Sequence, residues 1–250
     1  MSENKTVNVR DLVDTYEFPY VLVGSGQKLL IKPITTGQMK KILIYEEESD
    51  PYVIEDVLDR LISDCVVSEG FDIDDLYLQD RFSLLLEIRR ITKGDSYTFN
   101  WKCPKCGIEN IKTLKLSELK NVPINSTDNV IKVGEQIKLE VDFPTRRDQK
   151  DAIERMNKKG IENYQEKQLD VQTGTFANCI KRVHTPNGIL EDVSFEDKYY
   201  ILDNIASESF KIFSDWFVDH DFGIEFEVPY TCTHCDYSEK REIPLTDFFT

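Results

Sequence analysis

Four of the six cysteines stand in two Cys-x-x-Cys pairs: Cys103 with Cys106 in "NWKCPKCGIEN", and Cys232 with Cys235 in "PYTCTHCDYSE". Thiolates two residues apart suit a divalent metal, because one tight turn aims both sulfurs at one ion. Pro104 sets the bend of the first turn, and Gly107 tolerates the positive φ such a turn needs at its exit. Asp236 holds that exit position in the second turn, and Asp tolerates it better than most residues. Each turn offers two ligands, and a structural zinc takes four. The expectation is one shared structural Zn2+ site made by Cys103, Cys106, Cys232 and Cys235. Four thiolates leave no coordination position for water or substrate, so such an ion would be a cross-link and not a catalyst.

The 126 positions from Cys106 to Cys232 far exceed the ~15–20 of a short zinc ribbon. Two separate sites, or two reduced turns without metal, therefore stay open at this point. A thioredoxin-type redox pair lies between a strand and a helix, whereas these pairs lie between strands. His234 falls inside the second turn, at a middle position that points away from a metal. His184 and His220 have no partner at ligand spacing and read as surface residues. Cys65 and Cys179 fall on apolar helical faces, where free cysteine packs well.

The elements around the turns follow from hydrophobic period. "SYTFNWK" alternates like a strand leading into Cys103, and "GIEFEVPYTC" does the same into Cys232. "PYVLVGSGQKLLIKP" reads strand, turn, strand. Its Gly24-Ser25-Gly26 suits a hairpin turn and not a phosphate loop, since no helix follows. Asp50-Pro51 caps a helix in which Ile54, Val57, Leu58, Leu61, Ile62, Cys65 and Val66 share one face. "LQDRFSLLLEIRRIT" is a second amphipathic helix stopped by Gly94. Ser194 and Asp197 read as a capping box. A helical apolar stripe then runs through Ile201, Leu202, Ile205, Phe210, Phe213, Trp216 and Phe217. "PTRRDQK" reads as a solvated helix start.

The same features recur in order. "KLLIKPITTGQMKKIL" matches "IKLEVDFPTRRDQKDAI": strand, Pro, Thr, polar helix start, with Ile nine positions after Pro33 and after Pro144. A cysteine after a small polar residue follows in each (Cys65, Cys179), then helices, a strand, the cysteine turn and a last strand. Pro33 to Cys103 is 70 positions and Pro144 to Cys232 is 88. The difference falls mostly in "HTPNGILEDVSFEDKYYILDNI", read as a longer loop and an added helix. The fold expected is α+β, with two divergent tandem repeats (strand–helices–strand–CxxC knuckle–strand) related by a pseudo-twofold axis and joined at the knuckles. The divisions expected are an N-terminal arm and first strand over 1–27, repeat 1 over 28–122, a linker or hairpin over 123–136, and repeat 2 over 137–250.

The chain has 250 residues and a net charge of −15. Such a field repels nucleic-acid phosphate and anionic lipid, so neither is expected as a partner. The N-terminal stretch lacks the apolar run of a secretory signal, and no stretch approaches the ~18 apolar residues of a membrane span. The expected setting is a cytoplasm, where thiols stay reduced and paired cysteines favour metal over disulfide. No nucleophile elbow, phosphate loop, HExxH or dinucleotide fingerprint occurs, and the expectation is that the protein is not an enzyme. The alternative class is a zinc-ribbon adaptor in transcription or nucleic-acid handling, for which Trp101, Lys102 and Lys105 would speak. The acidic surroundings of the second turn speak against it.

The order of strand-Pro-Thr-helix, an acidic helix with "SDC", "LLLEIRRITKGDSYTF" and "CPKCG" resembles the baseplate hub and hub-assembly proteins of T-even-like contractile-tailed bacteriophages. The resemblance covers residues 29–119 and extends more faintly to the C-terminus. It implies a structural or assembly role in a tail baseplate hub. The partners it implies are other baseplate or hub proteins, met within an oligomeric assembly. The location it implies is the virion tail, reached from the host cytoplasm. It carries metal positions onto Cys103 and Cys106, with Cys232 and Cys235 as their partners, and it carries no catalytic residue.

Overall fold

The computed structural model describes residues 16–44, 51–124, 128–161, 163–244 and Phe248. It is a mixed α/β fold with seven helices and several small sheets among those residues. The Asp50 cap expected for the second helix lies outside them.

Strands β1 (Phe18–Val21) and β2 (Lys28–Ile31) form a hairpin, followed by helix α1 (Thr36–Ile44) and helix α2 (Pro51–Cys65). Helix α3 (Leu78–Lys93) ends on Gly94 at φ 91, the positive-φ stop that its sequence signals. Strands β3 (Ser96–Lys102) and β4 (Glu109–Lys115) flank the first cysteine turn, and β5 (Asn121–Val122) follows. Strand β6 (Val130–Lys132) then pairs with β7 (Lys138–Val141). Helices α4 (Arg146–Lys159) and α5 (Tyr164–Cys179) lead to β8 (Ile180–Thr185) and β9 (Gly188–Leu190). These complete a four-stranded antiparallel sheet in the order β6-β7-β8-β9. Helices α6 (Phe195–Asn204) and α7 (Ser207–Asp219) precede β10 (Gly223–Ile224), β11 (Glu227–Thr231) and β12 (Ser238–Glu242).

The "HTPNGIL" part of the expected loop is instead the β8–β9 hairpin, in which Thr185 pairs with Gly188. The apolar stripe from Ile201 to Phe217 is two helices, not one, because the chain leaves helical geometry at Ile205 and Ala206. Ser194 does cap α6, accepting from the Asp197 N–H. "GIEFEVPYTC" is two strands: β10 joins β5, and β11 joins β12. On α2, Leu61, Ile62 and Cys65 are buried as the period requires, but Ile54 is exposed.

The two ends of the chain share hydrogen-bond patterns. Lys32 N donates to Cys65 O at 2.8 Å, and Asp142 N donates to Cys179 O at 2.9 Å. Thr35 and Gln38 cap the start of α1 reciprocally, as Thr145 and Asp148 cap α4. One apolar core gathers residues from Leu22 to Leu116 and also Tyr230, Cys232, Ile243 and Phe248. A second is built from residues between Ile131 and Phe222. The last hairpin of the chain therefore belongs to the first core.

A four-cysteine candidate metal centre

Strand β3 alternates by residue type, so Tyr97, Phe99 and Trp101 turn inward while Ser96, Thr98, Asn100 and Lys102 face out. That alternation delivers Cys103 to the end of a buried aromatic stripe. The chain then reverses: Gly107 N donates to Cys103 O at 2.9 Å, and Cys103 N donates to Ile108 O at 2.9 Å. Gly107 sits at φ 71. The second turn closes in the same way, with Cys232 N donating to Tyr237 O at 2.8 Å and Asp236 at φ 55. Asp236 is the one non-glycine at positive φ among the described residues, in the position that Gly107 occupies in the first turn.

Packing brings the turns together. The Tyr230 ring meets Phe99 at 5.6 Å and Trp101 at 5.2 Å between centroids. Buried Asn110 accepts from both the N–H and the hydroxyl of Thr233, each at 3.0 Å. Lys112 Nζ donates to Pro229 O, and Tyr97 donates to Pro244 O at 2.7 Å. Neither turn reaches its neighbour by sequence proximity; aromatic burial and these polar bonds set the approach.

All four Sγ atoms lie within 4.8 Å of one another. Cys103 is 3.8 Å from Cys235, and Cys106 is 3.6 Å from Cys232. Zinc with four thiolates at ~2.3 Å gives tetrahedral S–S edges of about 3.8 Å, so the spacing fits such an ion. Backbone N–H groups favour thiolate at single positions. The His234 N–H points at Cys232 Sγ at 3.4 Å and holds this thiol down at about 6. The Ile108 N–H favours the Cys106 thiolate too, but burial and the neighbouring sulfurs push Cys106 up to about 12. Four sulfurs this close cannot all ionise without a cation between them. The donor set is therefore suited to a metal ion, held by Cys103 and Cys232 from the buried side and by Cys106 and Cys235 from the half-buried side.

The remaining residues singled out by type fall elsewhere. His234 lends its backbone N–H and stays outside the sulfur cluster. His184 bonds Glu140 at 3.0 Å, and His220 bonds Trp216 O at 2.7 Å. Cys65 and Cys179 are fully buried; burial raises Cys65 to about 11 and Cys179 well above 9.0, so both stay protonated. Trp101 is 7% exposed against Tyr230, which removes it as a platform for a nucleic-acid base.

A second cluster was not expected from sequence. Asp59, Arg81 and Arg146 are buried together, where "PTRRDQK" had read as solvated. Asp59 accepts from Arg81 Nε at 2.6 Å and from Arg146 Nε at 2.7 Å. Glu55 completes Arg81, and Gln149 and Asp56 complete Arg146. Arg147, the other arginine of the run, is exposed and pairs with Asp72 and Asp75. The spacing of two arginines at a helix start gives no sign of which one turns inward; only the approach of α4 to α2 decides it.

Fold and site define a mixed α/β protein whose distant ends are brought together at a four-cysteine centre. The sequence matches the family described as T4 bacteriophage base plate protein over residues 14–250, and the chain belongs to that family. It is thus a structural component of a phage tail baseplate. No curated protein and no solved structure matches the chain significantly. No helix among the described residues is long and apolar enough to cross a membrane.

Proposed function

We propose that this protein serves in or on the baseplate hub, acts by protein–protein contact without turnover, and is held rigid by one structural zinc bound to Cys103, Cys106, Cys232 and Cys235. The observation that carries the reading is the four-sulfur cluster in a chain of the baseplate family. Its role is that of a clasp: the ion holds the last hairpin against β3, inside the first core. Ligands drawn from two distant stretches of a chain make metal binding contribute directly to folding free energy.

The clasp joins two divergent copies of one unit about a pseudo-twofold axis. The paired bonds Lys32–Cys65 and Asp142–Cys179 support this, as do the matching caps at Thr35 and Thr145. Lys32 to Asp142 and Thr35 to Thr145 are each 110 positions apart, against 111 between Pro33 and Pro144 and 114 between Cys65 and Cys179. The matching turns at Gly107 and Asp236 support it too. Partners are neighbouring baseplate or hub subunits, and the charge of −15 would steer a basic one. Electron microscopy of lysates from phage lacking this gene tests the function. Tails without assembled baseplates or hubs are expected, restored by the wild-type gene; normal tails would sink the reading.

A further inference from the structure

Two sulfur contacts join one turn to the other: Cys103 to Cys235 at 3.8 Å and Cys106 to Cys232 at 3.6 Å. Each joins a buried sulfur, Cys103 (1% exposed) or Cys232 (0%), to a half-buried one, Cys235 or Cys106. The half-buried member can meet a small oxidant, and the buried member waits beside it. We propose that peroxide converts this centre into two disulfides between the turns, Cys106–Cys232 and Cys103–Cys235, so that a covalent clasp replaces the metal one. The inference rests on the clasp and virion readings above. A tail protein is made in a thiol-reducing cytoplasm and released into a medium that has no such buffer.

The chemistry needs two equivalents of hydrogen peroxide. Cys106, which a bound cation would hold as thiolate, attacks one peroxide oxygen, the O–O bond breaks, and the departing hydroxide takes a proton to become water. Cys106 is left as the sulfenic acid. The Cys232 thiolate then attacks that sulfur; the S–S bond forms, the S–O bond breaks, and a second hydroxide leaves and is protonated to water. Two thiolates have lost two electrons, and one peroxide has become two waters. Cys235 and Cys103 repeat the sequence with the second peroxide, and a cation held by the four thiolates is released to solvent as they become neutral disulfides.

Geometry favours pairing across the turns. A disulfide is ~2.05 Å long, so each cross pair must close by under ~2 Å. The backbones that carry them are already docked through Asn110–Thr233 and Lys112–Pro229. Pairing within a turn would leave the two hairpins unjoined.

The test uses the purified wild-type chain, with its metal content measured first. It is treated with excess hydrogen peroxide under native conditions, alkylated, and digested without reduction. Cleavage after Lys105 separates Cys103 from Cys106, and fragmentation between Cys232 and Cys235 assigns their partners by mass. The expected result is Cys103–Cys235 and Cys106–Cys232, with Cys65 and Cys179 still free thiols. The oxidised chain should also keep its melting temperature in chelator, where the reduced chain loses it. Disulfides within one turn, the opposite cross pairing, sulfinic acids, or unreacted thiols would each overturn the proposal. Cross-turn disulfides in a chain that never held zinc would overturn both the metal clasp and its replacement, since there would be no metal to replace. Zinc followed by same-turn disulfides would overturn the replacement alone and leave the metal clasp standing.

Discussion

Arg146 donates its Nε–H to Asp59 Oδ2 at 2.7 Å across 87 positions of sequence. Both side chains are almost fully buried, and Arg81 holds the other Asp59 oxygen. This ties α4, whose neighbours build the second core, to α2 and α3 of the first. This ionic bolt joins the halves at the helices, as the packing of Tyr230 on Phe99 and Trp101 does at the hairpins.

Replacing Asp59 by Ala takes the shared carboxylate from two buried guanidinium groups, and removing one partner of a buried pair typically costs about 3–5 kcal/mol. Burial alone would raise the Asp59 carboxyl, but the Arg81 charge and the Arg146 bond and charge hold it below 3.8. A carboxyl depressed in the folded state stabilises fully above its unfolded pKa, and this is lost as pH falls through the folded value. Urea unfolding between pH 7 and 2 should show wild-type stability falling below about pH 4, and Asp59→Asn should have a flatter profile. Equal profiles would refute the role given to this carboxylate.

Gly24 meets the second half at the β1–β2 turn. Its N–H and that of Ser25 donate to Asp80 at 2.7 and 2.9 Å, so the glycine-containing turn cradles the protein's own anion. A methyl group on Gly24 would press on the Phe222 ring and sit 2.9 Å from Asp80 Oδ2. Gly24→Ala should destabilise by about 1–3 kcal/mol through overpacking. Gly134→Ala, with open space around it, should stay within about 0.5 kcal/mol in the same denaturant titration.

The two cysteine turns make a reciprocal prediction. Gly107 at φ 71 and Asp236 at φ 55 occupy the same place in their turns. Left-handed geometry costs an L-residue roughly 1–2 kcal/mol. Gly107→Ala should lower stability by about that amount, and Asp236→Gly should be neutral or stabilising by up to about 1 kcal/mol. Calorimetry of both variants checks the pair; opposite signs would break the equivalence.

Local chemistry was legible where period and turn residues agree. Strand β3 spans the alternating run Ser96–Lys102, and α3 stops at Gly94. The four metal-type cysteines were also legible, since their spacing states what each turn can do. Long-range partners were not. Asn110 looks like any strand residue until Thr233 arrives, and Arg146 looks solvated until α2 covers it. The β8–β9 hairpin was hidden because "TPNG" reads equally as a loop, and only pairing with β7 makes a strand of what precedes it.

The central claim is a single metal shared by both turns. Elemental mass spectrometry of the purified chain, wild type beside Cys232→Ser, tests it most directly. The account predicts one zinc per chain in the wild type and none in the variant, with a large loss of melting temperature. Two zincs per chain, or none in a chain that folds normally, would contradict it.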